Sequence, residues 1–405
     1  MNWESVTLDK LGIVSRGRSK HRPRDDSSLY DGRYPFIQTA DVKAAPFYIT
    51  DYNITYNEKG LAQSKLWHRG TLCITIAANI ADTAILDIDA CFPDSVMGFI
   101  PYEGISDVRF VKYAFDMLQR DMRQISQGTA QDNLSWQKLS TIQFPNPPIG
   151  IQRKIADYLV AYENLIENNQ KQIKLLEEAA QRLYKEWFVD LRFPGHENTP
   201  NVDGVPEGWK KASLGQALDK ITTGLNPRKN FVLGHGSNYY VTIKNMGDNT
   251  FYLDDRCDKV DDEAIEKINK RSDLQIGDLL FSGIGTMGRV ALVSIPTTNW
   301  NVSESVFTMR ANGLISKEYL YLLLLSDDMQ SYCDSHSHGV AQKGIRMADL
   351  KAFPIILPTK KVMDAFTNLV YPIIRRVQVL RQETTRITEA RDRLLPKLMS
   401  GDIEV

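Results

Sequence analysis

The chain of 405 residues is poor in cysteine, in long apolar runs and in net charge. Its 4 cysteines form no CxxC pair, so the sequence predicts neither a disulfide framework nor a cysteine-rich zinc site. The longest apolar runs, such as residues 319–325, are too short to cross a bilayer, and no basic region followed by an apolar stretch opens the chain. These absences favour a reduced, cytoplasmic protein with no membrane partner. A net charge of −1 also argues against binding nucleic acid through overall charge, although local basic surfaces stay open.

What the sequence does have is an internal repeat. Residues 128–131 (GTAQ) match residues 339–342 (GVAQ), and the constant offset of 211 extends through residues 128–190 and 339–401. The rest repeats more weakly: Trp3 matches Trp209, residues 36–39 match 240–243, and residues 70–75 match 277–282. Each half is therefore a variable globular part followed by a constant part. A duplicated protein of this kind is suited to recognising something two-fold, or nearly so.

The constant parts are predicted to be long helices that form an antiparallel coiled coil. In the first copy, apolar residues alternate at spacings of four and three for more than four heptads, with Asn169 as the one amide that would fix register. The seam of the first copy is Ile155, Leu159, Tyr162, Ile166, Asn169, Ile173, Leu176, Ala180, Leu183 and Trp187. The seam of the second copy is Phe366, Val370, Ile373, Val377, Leu380, Thr384, Ile387, Arg391, Leu394 and Leu398.

The second seam is poorer, because Thr384 and Arg391 interrupt it and Pro372 is expected to kink or restart the helix. Charge favours pairing of the two helices with each other. Residues 151–190 carry six basic and seven acidic side chains, whereas residues 360–401 carry nine basic and four acidic ones. The alternative is two unrelated amphipathic helices, each packed on its own domain.

The predicted fold class is α+β, with two globular domains and a pseudo-two-fold internal repeat. Short strands are expected at residues 36–39, 72–76, 239–243 and 279–281, and helices at 108–127 and 317–334. Three prolines and three glycines in residues 193–209 indicate a linker. The predicted domains are residues 1–147, a central helix at 148–190, a linker at 191–208, a second domain at 209–357 and a C-terminal helix at 358–405.

Two motifs have the form of catalytic sites. Residues 283–288 satisfy GxGxxG after a strand, but the equivalent residues 77–81 have no glycine and residues 290–293 have the pattern of a strand. A tight strand–loop–strand turn that exposes Arg289 is therefore predicted instead of a dinucleotide site. Residues 146–149 (NPPI) resemble the Asn-Pro-Pro-aromatic motif of adenine N6-methyltransferases, but Ile149 cannot stack on a flipped base. A turn that leads into the central helix explains them better.

No active site or metal site is predicted. His336 and His338 lie two residues apart, but no cysteine or carboxylate cluster completes a metal site by spacing. Neither a Walker lysine loop nor a nuclease-type cluster is evident. The sequence therefore indicates a binding protein instead of a catalyst.

A basic arm in the first half is the clearest candidate for DNA contact. Its five basic residues alternate over nine positions, which suits contact with phosphates or insertion into a groove. They are Arg16, Arg18, Lys20, Arg22 and Arg24. The alternative is a solvated loop.

Other polar residues in loops have the donors that guanine and adenine edges accept. Each of them could equally be structural. The candidates are Lys43, Asn79, Gln131, Arg228, Lys229, Lys244, Asn245, Thr286, Arg289, Gln342, Lys343 and Arg346.

Both halves together resemble the specificity subunit of type I restriction–modification systems. The most specific matches lie in residues 152–156 (QRKIA) leading into 177–188, in 193–197 (FPGHE), in 206–209 (PEGW), in 277–288 and in the closing 394–401. The resemblance implies two target-recognition domains held apart by antiparallel helices, each reading one half of a bipartite, asymmetric sequence in double-stranded DNA. It also implies that two modification subunits dock on the helices and methylate adenine, and that restriction subunits add translocation and cleavage.

In such a complex this chain would hold no cofactor and would not be an enzyme. The partner subunits are expected to use S-adenosylmethionine, ATP and magnesium. Two alternatives stay open: an adenine N6-methyltransferase that uses residues 146–148 and the glycine loop at 283–288, and a coiled-coil scaffold with no role on DNA.

Overall fold

The computed structural model describes residues 3–76, 82–125, 139–202, 204–247, 249–339 and 343–405, with side chains undescribed at 120–125. The chain divides into two compact units. Unit 1 comprises Met1–Asn169 and Glu383–Val405, and unit 2 comprises Gln170–Gln382. Within the described residues, no helix combines the length and the apolar content that a membrane span requires.

Unit 1 is built around a five-stranded sheet, and further short strands pair outside that sheet. All strands of the unit are β1 Ser5–Thr7, β2 Gly12–Arg16, β3 Tyr30–Pro35, β4 Tyr48–Ile49, β5 Thr55–Tyr56, β6 Leu66–Trp67, β7 Leu72–Thr75, β8 Thr83–Leu86, β9 Ala90–Cys91, β10 Val96–Pro101 and β11 Gln143–Pro145. Its helices are α1 Leu8–Leu11, α2 Thr39–Ala44, α3 Glu58–Gln63 and α4 Val108–Ile125, followed by α5 Ile149–Tyr184, which continues into unit 2.

The main sheet of unit 1 has the order β2-β10-β7-β8-β4, and both of its faces are covered. Leu72 and Ile74 of β7 pack on one side with Phe110 of α4 and with Ile155 and Leu159 of α5. On the other side, a second cluster contains Cys73, Trp67 and Phe92. Burial on both faces explains why β7 is a continuous apolar run instead of an alternating one.

Unit 2 repeats this plan. Its strands are β12 Asn201–Val202, β13 Val205–Pro206, β14 Lys210–Ser213, β15 Leu218–Thr223, β16 Asn238–Val241, β17 Met246–Gly247, β18 Thr250–Phe251, β19 Asp258–Val260, β20 Leu279–Ser282, β21 Val290–Leu292, β22 Trp300–Val302, β23 Val306–Ala311 and β24 Pro354–Leu357. Its helices are α6 Pro227–Asn230, α7 Asp262–Ser272, α8 Lys317–Leu325, α9 Asp327–Ser335, α10 Met347–Lys351 and α11 Lys360–Ser400, the last of which continues into unit 1.

The sheet order in unit 2 is β15-β23-β20-β21, which matches β2-β10-β7-β8 strand for strand. In each unit the two ends of the globular part are also paired with each other: β1 with β11, and β14 with β24, both antiparallel. The parallel bridge Phe36↔Cys91 in unit 1 has its counterpart in Tyr240↔Asn301 in unit 2. The duplication inferred from the sequence is therefore present in the backbone, and the predicted α+β class is confirmed.

Several predicted elements need correction. Residues 36–39 are not a strand, because β3 ends at Pro35 and α2 begins at Thr39. The single helix expected over residues 317–334 is two helices, since Ser326 ends α8 and its side chain accepts a hydrogen bond from the Met329 backbone N–H, which starts α9. The helix α11 runs without interruption through Pro372, so the predicted restart is wrong. Proline has no backbone N–H, so the carbonyl four residues before Pro372 lacks its helical hydrogen bond. Because Pro372 is exposed, water can bond to that carbonyl instead.

The segment predicted as a linker is packed into unit 2. Strands β12 and β13 pair as a small hairpin within it. Phe193 and Trp209 are buried with their rings 4.7 Å apart, and Phe188 at the end of the central helix meets Phe366 of α11 edge-on at 4.7 Å. These rings belong to the largest apolar cluster of the unit, together with Tyr319 of α8. The segment therefore stabilises the junction between the domain and its helices.

Candidate nucleic-acid interface

The basic arm of unit 1 begins at the edge strand β2 and continues along a neighbouring loop. The Gly17 amide donates to the Val96 carbonyl at 2.8 Å, and the Arg18 amide donates to the Phe92 carbonyl at 3.0 Å. Gly17 lies so close to this loop that a Cβ there would come within 2.3 Å of the Pro93 carbonyl oxygen. The backbone at the start of the arm is thus fixed while its basic side chains stay exposed.

Two of the five arm residues already have partners. Arg22 donates from Nη1 to the carbonyls of Ser19 and His21, each at 2.7 Å. Arg24 forms an ion pair with Asp94 at 2.7 Å. These two side chains shape the loop, so we assign them a weaker share in any DNA contact.

Arg16, Arg18 and Lys20 are exposed and make no side-chain ion pair within the described residues. The Lys20 amide donates to Gln63 Oε1 at 2.6 Å, which fixes the backbone and leaves the ammonium group in solvent. Three free cations on an ordered backbone have the chemistry of a phosphate-contacting surface.

An open cleft of about 710 Å³ lies beside the arm. Ser19 and Arg24 line one part of it, and Gln38, Thr39 and Asn53 line another, above a wall that includes the stacked rings of Phe36 and Tyr56. Gln38 and Asn53 are not among the residues predicted from the sequence. The repeat of residues 36–39 at 240–243 was the signal that could have identified Gln38. Gln38 and Thr39 lie at the start of helix α2, and Lys43 lies near its C-terminal end and is exposed.

In unit 2 the counterpart of the arm is the short helix α6. Asn226 caps it by accepting from the Arg228 amide at 2.9 Å, and the adjacent side chains of Arg228 and Lys229 are exposed. Gly224, the counterpart of Gly17, is packed even closer, since a Cβ there would lie 1.6 Å from the Val302 carbonyl oxygen. Both units therefore present exposed cations just after a tightly packed glycine.

Asn245 and Arg289, which the sequence predicts to contact DNA, have hydrogen-bond partners within their own domain. Asn245 is 2% exposed, and its Oδ1 accepts hydrogen bonds from the Thr242 amide and hydroxyl at 2.9 and 3.1 Å. Arg289 donates from Nη1 to the carbonyls of Ile243, at 3.0 Å, and Met246. Both side chains hold one loop together, whereas Lys244, the neighbour of Asn245 in that loop, is exposed.

The GxGxxG segment is the predicted turn between two strands. Strands β20 and β21 on either side of it are antiparallel neighbours, and no helix follows. Ser282 Oγ donates to the Thr286 carbonyl at 2.7 Å, and the Gly285 amide donates to the Lys343 carbonyl at 2.7 Å. The turn therefore meets the loop that leads to α10. Thr286, Lys343 and Arg346 are exposed on these two loops.

The remaining candidates divide into two groups. Asn79, Gln131 and Gln342 lie outside the residues that the structure describes. The rings of His336 and His338 have local roles, because His336 stacks on Tyr332 at 3.8 Å and His338 lies 3.1 Å from Asp349.

The helix seam in unit 1 pairs the start of α5 with the end of α11. Ile155 and Leu159 share a buried cluster with Leu398 and Leu394. Antiparallel direction follows from two contacts, because Glu163 meets Arg391 at 2.9 Å whereas Lys154 meets the Val405 carbonyl at 3.2 Å.

Arg391 interrupts the apolar pattern of the seam, and the structure gives it a partner in Glu163. Its guanidinium also contacts Asp392 at 2.8 Å. Burial raises the pKa of the Glu163 carboxyl, and Arg391 opposes that rise. The pair is therefore a polar inclusion within an otherwise apolar contact.

In unit 2 the seam is again antiparallel. Glu177 meets Arg381 at 2.6 Å, and Trp187 lies 5.5 Å from Phe366, ring centre to ring centre. Seam residues in both units are buried or half-buried, and none is exposed. The further seam residues, all in this class, are Tyr162, Ile166, Asn169, Ile173, Leu176, Ala180, Leu183, Val370, Ile373, Val377, Leu380, Thr384 and Ile387.

Comparison with known proteins identifies relatives along the whole chain. The sequence matches the family model described as type I restriction modification DNA specificity domain over residues 1–178 and 206–375. It is 23% identical over 418 residues to the type I restriction enzyme MjaIX specificity subunit of Methanocaldococcus jannaschii, covering 100% of this chain and 94% of that protein. It is 24% identical over 333 residues to the HindI specificity subunit of Haemophilus influenzae, covering 67% of this chain and 71% of that protein.

A solved structure has the same fold. The S subunit of a type I restriction–modification system from M. genitalium superposes with a TM-score of 0.62 at 16% identity. That match covers 98% of this chain and 96% of the solved chain.

Proposed function

Since the chain belongs to the type I restriction–modification DNA specificity family, we propose that its two globular domains each read one half of a bipartite, asymmetric DNA site. The chain is a type I specificity subunit. The observation that supports the division into two readers is the repeated sheet, in which β2-β10-β7-β8 and β15-β23-β20-β21 share one order.

The surfaces that contact DNA differ between the two readers. In the first domain, Arg16, Arg18 and Lys20 contact phosphates, and the neighbouring cleft with Gln38 and Thr39 meets base edges. In the second domain, Arg228, Lys229, Lys244, Thr286, Lys343 and Arg346 form the corresponding surface. The exposure of the basic side chains in both domains supports these roles, because an exposed cation can reach a phosphate or a base.

A domain exchange tests whether each domain recognises its half-site independently of the other. Residues 209–357 are replaced by the matching domain of another such subunit, and the methylated sequence is mapped in a host that carries the modification subunits. We expect one half of the methylated sequence to change. The control exchange of residues 1–147 should change the other half. A single exchange that alters both halves would contradict the proposal.

The long helices set the spacer between the half-sites and dock two modification subunits. The support is the pairing of α5 with α11 inside each unit, which gives each half a helical surface of the same construction. Restriction subunits, S-adenosylmethionine, ATP and magnesium belong to the assembled cytoplasmic complex, and methylation and cleavage are carried out by the partners. Calorimetry of the isolated chain with S-adenosylmethionine distinguishes this from the methyltransferase alternative, since saturable binding would contradict it.

Docking is tested by placing charges in the seam. Leu176→Asp together with Leu183→Asp buries unpaired carboxylates, at a cost of several kcal/mol each. We expect methylation to be lost because the modification subunit no longer co-purifies. Asn168→Asp with Gln170→Asp adds the same charges at exposed positions of the same helix and should leave co-purification intact. Recovery of the modification subunit with the seam variant would show that docking does not need the helix pair.

A further inference from the structure

A loop of the second domain is bonded directly to the helix pair of its own unit. Arg381 of α11 donates from Nη2 to Glu177 Oε1 at 2.6 Å and from Nη1 to the Asn249 carbonyl at 2.6 Å. The Asn249 side-chain amide donates to the same Glu177 oxygen at 3.1 Å. The Arg381 and Glu177 side chains are only 13% and 24% exposed. The three residues thus close a ring of charge-assisted hydrogen bonds, which are about twice as strong as neutral ones.

Asn249 holds a backbone conformation that few residues adopt. Its φ is +54°, in the left-handed region, where asparagine is one of the few tolerated side chains. It lies at the turn between β17 and β18, whose register pairs Met246 with Phe251 and Gly247 with Thr250. The helix contacts therefore fix the position of the turn.

The other end of this hairpin joins the loops that we assign to DNA contact. Arg289 donates to the carbonyls of Met246 and Ile243, on either side of the exposed Lys244. The Arg289 amide donates to Ser282 Oγ at 2.8 Å, and the same oxygen donates to the Thr286 carbonyl. Bonded contacts consequently run from the helix pair through the hairpin to the loops that carry Lys244 and Thr286.

The repeat equivalents of this ion pair cannot form the same link. At the offset of 211, Glu177 corresponds to Thr388 and Arg381 to Gln170. In unit 1 the helix ion pair is instead Glu163–Arg391, and its third partner is Asp392 on α11 itself. The ion-pair link to Asn249 is thus not repeated at these two positions, and in unit 1 the loop before α4 is bonded to α5 through Gln152 instead, whose Oε1 accepts from the Asp107 amide at 3.0 Å.

We propose that Glu177 and Arg381 are positioning residues for the second recognition domain. By holding Asn249 they fix the position of the loops that carry Lys244 and Thr286. Discrimination against mismatched bases in the second half-site therefore depends on the helix pair. This inference rests on the proposed function. The domain exchange tests that function separately, because it does not depend on the Glu177–Arg381 contact.

The experiment uses the full chain with its modification subunits in a host that lacks other adenine methylation. Arg381→Met removes both donors while keeping an unbranched apolar stem. We expect methylation at sites with one mismatch in the second half-site to rise about tenfold relative to matched sites, which corresponds to about 1.4 kcal/mol of discrimination. Mismatches in the first half-site should be rejected as before. Glu177→Gln keeps an acceptor oxygen and should retain most of the fidelity.

The matched control is Arg391→Met in unit 1. It breaks the other helix ion pair and should lower the unfolding temperature by a similar amount without relaxing the second half-site. If Arg381→Met gives too little folded complex, Asn249→Gly decides, because it keeps the left-handed turn and the ion pair but removes the amide contact. It should relax the second half-site in the same direction, by less. Unchanged fidelity in both variants, or equal relaxation by Arg391→Met, would overturn the proposal while leaving the domain exchange result intact.

Discussion

The two units share the order of four sheet strands but differ in the polar contacts at their helices. The ion pair Glu163–Arg391 of unit 1 corresponds, at the offset of 211, to Ile374 and Ala180 of unit 2, which are buried in an apolar cluster. The ion pair of unit 2 corresponds to Thr388 and Gln170. The backbone plan has therefore survived duplication, whereas the charges in the seam have been redistributed. The two halves of the helix pair are therefore no longer interchangeable, even where their domains are built alike.

The scaffold that the two units share should be most sensitive to substitution at Gly17 and its counterpart Gly224. Gly224→Ala places a Cβ 1.6 Å from the Val302 carbonyl oxygen, and Gly17→Ala places one 2.3 Å from that of Pro93. Because backbone must move in both cases, we expect a loss of roughly 3 kcal/mol or more for Gly224→Ala and less for Gly17→Ala. Hydrogen exchange should localise each loss of protection to the unit concerned.

Gly150 supplies the control for these two variants. It lies in the first turn of α5, and the space that an added methyl group would fill is open, so Gly150→Ala should be neutral or stabilising by up to about 1 kcal/mol. Equal effects of Gly17→Ala and Gly224→Ala would show that the two scaffolds are not packed as the structure has them.

The difference between the two helix seams can be tested by giving unit 1 the residue types that unit 2 has at the equivalent positions. Arg391→Ala leaves Glu163 half-buried without its partner and should destabilise unit 1 by about 2–3 kcal/mol. Glu163→Ile combined with Arg391→Ala copies the equivalents Ile374 and Ala180 and should recover most of that loss. Chemical denaturation of the three chains measures both steps. A double variant as unstable as the single one would mean that the ion pair itself is needed for folding.

The single variant Arg391→Ala should also change the dependence of stability on pH. Burial already raises the pKa of Glu163 above its ordinary value, and removal of the opposing guanidinium should raise it further. A group whose pKa is raised in the folded state contributes stability at low pH, which is lost as pH rises through the folded-state pKa. The defect should therefore be smaller in mildly acidic than in mildly alkaline buffer. A defect that is constant with pH would mean that Glu163 stays ionised without Arg391.

The smallest expected effect concerns the two exposed basic surfaces. Substituting Arg16, Arg18 and Lys20 by alanine should lower the slope of log affinity against log salt by about 0.9 for each phosphate that the arm no longer neutralises. Arg228→Ala with Lys229→Ala should give a smaller change, because two cations are removed instead of three. Arg22→Ala with Arg24→Ala is the control, since these side chains already have partners within the domain. An unchanged slope for the first set would show that the arm does not touch phosphates.

Patterns that are local or periodic could be predicted from the sequence. The heptad seam placed both long helices, and the repeat gave the correct interpretation of the glycine turn at residues 283–288. The break at Ser326 could not be recognised by periodicity, because a single residue, Ser326, separates α8 from α9 and its side chain caps the second helix. The strand expected at residues 36–39 was wrong because the extended backbone there pairs only at Phe36 before α2 begins.

The direction of a loop side chain could not be predicted in the same way. Arg289 has the donors that suit a guanine, but the same donors suit the carbonyls of Ile243 and Met246, more than forty residues earlier in the chain. Asn245 and Lys244 are neighbours with opposite burial, because one caps a turn and the other does not. Whether a polar side chain serves the fold or a ligand depends on such long-range partners, which have no sequence pattern of their own.

The pairing of β1 with β11 and of β14 with β24 has a consequence for how new specificities arise in a population. Each recognition domain enters and leaves its unit through two adjacent, hydrogen-bonded strands, so it is joined to the rest of the chain as an inserted domain is. Genetic recombination with crossovers in the codons of Lys210–Ser213 and Pro354–Leu357 would transfer a complete reader and leave the receiving strands in register. Alleles of such a gene should then differ in blocks bounded by these strands instead of by scattered substitutions.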